Sequence, residues 1–260
     1  MKHLVIPDPH AHPEYDNDRF TALSRFILAE KPDVILCIGD FADMPSLSSY
    51  DRGTKGFEGR RYKRDVEAVT DAQARLVNPI RKYIERRRKG PSERYSPRFV
   101  MCLGNHEDRI SRAVNSQPEL DGAIGIHDLQ FEHFGWEVIP FQSPIVIDGI
   151  AYCHYFASGV AGRPISGENI GKTLVAKNLM SSIQGHSHIF DHSERTRADG
   201  QKLFGMSVGC YSHPDMKEGW NTATEHMWWR GVVILEEVDG LGYYDDIRAV
   251  TMRKILRDYL

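Results

Sequence analysis

The first forty residues of this chain commit it to parallel β-structure. A short apolar run, His3 to Pro7, is followed by Phe20, Leu23, Phe26 and Ile27 at helical spacing. Asn17 or Asp18 is placed to cap that helix, and Pro32 to end it. Val34 to Ile38 is then an unbroken apolar run closed by Gly39, the pattern of a strand buried on both faces. Two such strands pair in parallel through a right-handed crossover, which carries Asp8 and Asp40 to the same carboxyl edge.

Later apolar runs predict further strands at Phe99–Leu103, Trp136–Phe141, Pro144–Ile147, Ala151–Phe156, around Ile183, at Leu203–Val208 and at Gly231–Val238. Ile147-Asp148-Gly149-Ile150 predicts a hairpin turn. Helical periodicity spans Val66 to Ile84, with an interruption or kink expected at Pro79, and recurs at Asp108–Val114 and Lys172–Met180. The tail, Asp246 to Leu260, suits a strand followed by a short helix. An early βαβ unit followed by many strands predicts an α/β fold of two packed sheets flanked by helices. With no internal repeat and no linker, residues 1–260 are expected to form one domain carrying a basic loop–helix segment at about 41–98.

Several classes are excluded. No run of about 18 apolar residues exists, so no transmembrane helix is expected. The N-terminus lacks the apolar core and small-residue cleavage site of a signal peptide. Cys37, Cys102, Cys153 and Cys210 all fall in apolar runs without CxxC spacing, which predicts buried free thiols and a cytoplasmic protein.

Five short motifs stand in order at the ends of apolar runs. They are Asp8-Pro9-His10, Gly39-Asp40 with Asp43, Gly104-Asn105-His106-Glu107, Cys153-His154, and Gly185-His186-Ser187-His188. Carboxylate, imidazole and amide oxygen together form the donor set of first-row divalent metals. Alternate residues at a strand end project to one side, so Asp8 and His10 are expected to share an ion, and His186 and His188 likewise. Seven candidate ligands are too many for one ion and suit two that share a bridge.

This ordered set resembles the calcineurin-like metallophosphoesterase superfamily, whose pattern is DxH, GDxxD, GNHE, H and GHxH, over roughly residues 8 to 188. The resemblance implies two mixed β-sheets packed as a sandwich with helices on both outer faces, a four-layer α/β/β/α arrangement. It implies two divalent ions, the first held by Asp8, His10, Asp40 and His188. The second would be held by Asp40, Asn105, His154 and His186, with Asp40 as the bridge. It casts His106 as the catalytic histidine beside the leaving-group oxygen, Asp43 as its acidic partner and Arg109 as a phosphate-facing arginine. Met44 and Pro45 stand where the phosphoprotein phosphatase branch carries arginine and glycine. Tyr155 and Ala11 stand where glycine is common. The implied chemistry is phosphoester hydrolysis by a metal-bridging hydroxide with no covalent enzyme intermediate. Manganese is the expected ion, and iron, zinc, cobalt and nickel also suit these donors.

Between Asp51 and Arg98 there are 15 Lys and Arg against 7 Asp and Glu, in a chain of formal net charge −3. Such a stretch serves either as a solvated helix face with a polar loop or as a surface that tracks nucleic-acid phosphates. Because it leaves directly from the Asp40 loop, a phosphodiester in DNA, RNA or a nucleotide is the expected substrate. A phosphomonoesterase acting on phosphoprotein or small phosphorylated molecules is the alternative, and an inactive binding scaffold a third reading. Arg163 and Lys172, around the glycine-rich loop after His154, are candidate phosphate contacts, and His213 a candidate pocket residue. His12 reads as a loop histidine, and Trp220, Trp228 and Trp229 as core or interface residues. No membrane partner is expected, and the sequence carries no signal for an oligomeric state.

Overall fold

Strand β1 (His3–Ile6) leads through helix α1 (Asp18–Glu30) to β2 (Val34–Cys37), which lies parallel to it. The structure, a computed structural model, describes residues 1–87, 95–216 and 225–260. Arg88, Lys89 and Arg94 of the basic stretch, and Trp220, lie outside the described residues. After β2 come α2 (Tyr62–Arg87), β3 (Arg98–Cys102), α3 (Asp108–Ser116), β4 (Glu137–Ile139), β5 (Ile145–Ile147) and β6 (Ile150–Cys153). The two-residue strands β7 (Ala157–Ser158) and β8 (Arg163–Pro164) pair with each other. Then follow α4 (Ile170–Asn178), β9 (Ser182–Gln184), β10 (Phe190–Thr196), β11 (Lys202–Val208), β12 (Gly231–Glu236), β13 (Asp246–Thr251) and α5 (Met252–Tyr259).

Two mixed sheets result, in the orders β13-β12-β1-β2-β3-β4 and β10-β11-β9-β6-β5. Side-chain alternation along β1 and β2 assigns the layers. Leu4, Ile6, Ile35 and Cys37 pack under α1, α2 and α5, against Phe20, Leu23, Leu76 and Ile255. Val5, Val34 and Leu36 face the other way, against Tyr152, Ile183 and Phe204 of the second sheet. On the far side of that sheet, Ala151 and Cys153 pack on Ile170 and Leu174 of α4. The layers are therefore helix, sheet, sheet, helix, as expected. All four cysteines are buried and free. Among the described residues, no helix is long and apolar enough to cross a membrane.

Three local expectations need adjustment. Helix α2 runs without a break through Pro79. Val69, Ala72, Leu76, Val77 and Ile80 bury one continuous face, and full burial of an aliphatic side chain contributes about 1.5–3 kcal/mol, enough to offset the missing N–H. Asn17 does not cap α1 with its side chain; its Nδ2 donates to Ala68 O and Asp71 Oδ2 on α2 and ties the two helices together. Strand β10 was not expected, because FDHSERT is polar. It is an edge strand held by antiparallel pairing to β11. The hairpin forms as expected, with φ of 47° at Asp148 and 78° at Gly149.

Candidate metal centre

Each motif lies in the connection that leaves a strand's carboxyl end. Asp8 and His10 follow β1, Asp40 follows β2, and Asn105 and His106 follow β3. His154 follows β6, and His186 and His188 follow β9. The first three strands belong to one sheet and the last two to the other, so the centre sits where two carboxyl edges meet.

The backbone there is left-handed, with φ of 36° at Asp8, 46° at His10, 49° at Asp40, 65° at His186 and 59° at His188. Such conformations cost on the order of 1–3 kcal/mol each and concentrate where surrounding structure enforces them. Turns rather than strand alternation therefore aim these side chains. Strand alternation would send His186 and His188 to one ion; here the two rings fall in different groups, the division that the resemblance implies. Asp8, His10 and His188 form one group, Asp40, His154 and His186 another, and His10, Asp43 and His106 a third that adjoins the first through His10, with ligand atoms in each lying within 4.8 Å of one another.

Polar atoms converge between the groups. Asp40 Oδ2 lies 3.3 Å from His154 Nε2, 3.9 Å from His106 Nε2 and 4.0 Å from His10 Nε2. Asn105 Oδ1 is 2.9 Å from His154 Nε2. His10 Nε2 and His188 Nε2 face each other at 3.2 Å, and His188 Nε2 is 3.3 Å from Asp8 Oδ2. Asp8 Oδ1 is buried with no hydrogen-bond partner. Two tautomers are fixed from behind: His10 Nδ1 donates to Asp43 Oδ1 at 2.8 Å, and His154 Nδ1 donates to Ile38 O at 3.1 Å. With Nδ1 engaged from behind, each ring turns its Nε2 toward the centre, the arrangement that supporting hydrogen bonds give to metal-binding histidines. These donors fit divalent cations.

Burial alone would raise Asp40, but the His154 and His106 rings hold its carboxyl well below the usual range. His154 shows the converse: burial opposes its charge, yet Asp40 and Asp8 push it up to about 9. Burial and the neighbouring His154 bring His186 down to about 4, so this ring is neutral, the form that can ligate. Burial would lower His106 too, but the Asp40 and Asp43 carboxylates raise it despite the adjacent Arg109.

Two residues that the motif analysis gave no role hold the centre's backbone. Glu107 is fully buried and accepts from the backbone N–H groups of Gly104 (2.7 Å), Ala42 (2.7 Å) and Asp40 (3.1 Å). Glu107 is the residue just before α3 and reaches back three positions to the Gly104 N–H. Arg19 is 2% exposed. It donates to the carbonyls of Asp16 (2.7 Å), Pro9 (2.9 Å), His10 (3.1 Å) and Tyr211 (3.2 Å). An arginine on the same stripe as Leu23 and Phe26 was its signal. Gly104 is needed for close approach, because a methyl group there would collide with the Asp40 carboxylate. Glu107→Ala would strand three buried N–H groups. It is expected to cost about 3 kcal/mol or more in urea unfolding, since each unsatisfied buried group costs about 1–3 kcal/mol.

The model of the family described as "Calcineurin-like phosphoesterase" matches residues 1–204 of this chain. The chain belongs to the calcineurin-like phosphoesterase family. It is a metal-dependent phosphoester hydrolase. This phosphoesterase is 26% identical over 247 residues to the gene 54 protein of Mycobacterium phage L5, covering 92% of this chain and 90% of that one. It is 25% identical over 247 residues to the gene 54 protein of Mycobacterium phage D29, with the same shares of 92% and 90%. Among solved structures it is similar to YfcE, a phosphoesterase from E. coli, at 14% identity and a TM-score of 0.39, covering 96% of this chain and 100% of that one. GAP50, the anchor in the inner membrane complex of Plasmodium, is similar at 11% identity and a TM-score of 0.26, over 99% of this chain and 93% of that one.

Among the described residues, one cavity lies at the phosphoesterase's centre and two more adjoin it. The central one, about 260 Å³, is lined by Asp40, Asn105, His106, His186, His188 and Trp228, among others. Trp228 meets the His188 ring edge-on at 4.4 Å, so it is a wall of the site rather than a core or interface residue. Trp229 packs on Phe190, a partly buried residue of the inter-sheet cluster. His12 lines a second cavity and lies 3.7 Å from Asp43 Oδ2, closer to the chemistry than a plain loop histidine. His213 stacks on Tyr15, another residue of that wall, at 5.0 Å. Arg163 and Lys172 line none of the three cavities, and Lys172 is exposed on α4. The basic stretch divides: Arg60 lines the second cavity, whereas Arg75 pairs with Asp18 and Asp71 and Arg98 with Glu137.

Proposed function

We propose that this chain hydrolyses phosphodiesters of nucleic acid or nucleotides with two divalent cations, manganese being the expected ion. One cation is assigned to Asp8, His10, Asp40 and His188, and the other to Asp40, Asn105, His154 and His186. The observation that carries this reading is that Asp40, grouped with His154 and His186, also brings Oδ2 within 4.0 Å of His10 Nε2 in a neighbouring group, beside a buried carboxylate oxygen of Asp8 that has no hydrogen-bond partner. Bound cations would lower the pKa of a shared water and offset charge on the phosphoryl oxygens.

His106 is assigned the proton that the leaving group needs. Its Nδ1 lies 2.8 Å from Asp43 O and 3.1 Å from Asp43 Oδ1, both acceptors, so Nδ1 carries a hydrogen. Its Nε2 accepts from Arg109 Nη2 at 3.1 Å, while Arg109 Nη1 is anchored on the Asp43 and Met44 carbonyls. Proton donation from Nε2 therefore requires Arg109 Nη2 to turn away and the freed nitrogen to take up a proton from solvent, which the Asp40 and Asp43 carboxylates favour; a phosphoryl oxygen supplies the arginine's new acceptor.

Asp43 serves two rings, because the same Oδ1 that faces His106 accepts from His10 Nδ1. Asp43→Asn is therefore expected to weaken manganese binding about 10–100-fold as well as slowing turnover. Calorimetric titration of the metal checks this, and unchanged affinity would remove Asp43 from behind His10.

The reading itself is tested with manganese-loaded protein on bis(4-nitrophenyl) phosphate, 4-nitrophenyl phosphate and DNA. The diester should be preferred, and chelation should abolish turnover. Preference for the monoester with no DNA cleavage would favour a phosphomonoesterase instead.

A further inference from the structure

Two further cavities flank the central one, and they differ in which edge of the site they open on. The first, about 490 Å³, opens on the His106–Asp43 edge and includes Tyr15, Ser48, Tyr50 and Arg60. The second, about 410 Å³, opens on the Asn105–His186 edge and includes Tyr50, Arg112, Phe141 and Tyr155. Both volumes fall within the range, roughly 300–1,000 Å³, that encloses a ligand of drug size. Tyr50 is 79% exposed and belongs to both walls. Tyr155 packs edge-on against Phe141 at 5.5 Å and lies 4.9 Å from the His186 ring.

A phosphomonoester has a substituent on one side of phosphorus only and needs one such cavity. A diester has two. Arg60 is paired with Asp51 at 2.6 Å and Arg112 with Asp108 at 3.2 Å, whereas Arg109, which lines both cavities, donates to the Asp43 and Met44 carbonyls and is placed for the phosphate itself. Beyond the scissile phosphate, the aromatic walls are therefore the main surface left to hold a nucleoside. A duplex keeps its base faces stacked inside, whereas an unpaired strand offers them to aromatic side chains.

We propose that the two flanking cavities receive the nucleosides on either side of the scissile phosphodiester, so that the substrate is a single-stranded polynucleotide stacked on Tyr50 and Tyr155. This rests on the phosphodiesterase reading given above. The test is fluorescence anisotropy with manganese-loaded wild-type protein and a labelled, cleavage-resistant phosphorothioate oligothymidylate. Tyr50→Ala should raise Kd about ten-fold, while Tyr50→Phe should stay within about two-fold of wild type, because the ring rather than the hydroxyl does the stacking. A duplex of the same length should bind at least about ten-fold more weakly. Equal or tighter duplex binding, or thymidine monophosphate bound as tightly as the oligomer, would overturn the proposal. So would a Tyr50→Ala variant that binds like wild type. The two readings fail separately. Absent hydrolysis of bis(4-nitrophenyl) phosphate by the wild type removes the phosphodiesterase, whereas hydrolysis without oligomer binding removes only the single-strand groove.

Discussion

Asp40→Asn is expected to release both manganese ions and to lower diester turnover by at least about 10³-fold. Of the seven assigned ligands only Asp8 and Asp40 are carboxylates, so this change removes half the anionic charge facing two dications. Asp40 is also the side chain at which the groups meet, with imidazole nitrogens of His154, His106 and His10 within 4.0 Å of Oδ2. The shape is conserved, so the loss is electrostatic. Metal assistance is worth several kcal/mol of transition-state stabilisation, and each decade of rate takes about 1.36 kcal/mol. Metal analysis alongside steady-state kinetics checks both halves. Retention of two equivalents of manganese by the variant would show that Asp40 is not the bridge.

His106→Ala is expected to behave differently: turnover falls about 10²–10⁴-fold, the span of a lost general acid, while two manganese equivalents remain. The separation follows from geometry. His106 Nδ1 is occupied by Asp43 and its Nε2 by Arg109 Nη2 at 3.1 Å, so both ring nitrogens already have partners that are not assigned metal ligands. A leaving-group test sharpens this. The deficit should shrink for 4-nitrophenolate, which leaves without a proton, and grow for alcohol leaving groups. Loss of metal from the variant would instead make His106 a ligand.

The layers of the fold were legible because burial imposes a simple code. Unbroken apolar runs at β1 and β2 marked strands covered on both faces, and in the structure Leu4 and Ile6 meet the helices while Val5 meets the second sheet. The convergence of the candidate ligands was legible because each motif follows an apolar strand. Their aim was not, since the left-handed φ values at Asp8, His10, His186 and His188 come from tertiary enforcement that no local pattern encodes. Arg19 and Glu107 went unassigned for a related reason. Their partners are backbone groups, which carry no side-chain signature in a sequence. Trp228 and Tyr50 became wall residues only when distant loops were brought beside His188 and Arg109. Strand β10, polar throughout most of its length, exists because β11 offers it a pairing edge.

The central claim is that two cations are held on either side of the Asp40 carboxylate. Anomalous diffraction from manganese-loaded crystals, collected at the manganese edge, tests it most directly. The account predicts two peaks, one among Asp8, His10 and His188 and one among Asn105, His154 and His186, with Asp40 touching both. A single peak, or a pair that leaves Asp40 untouched, would contradict it.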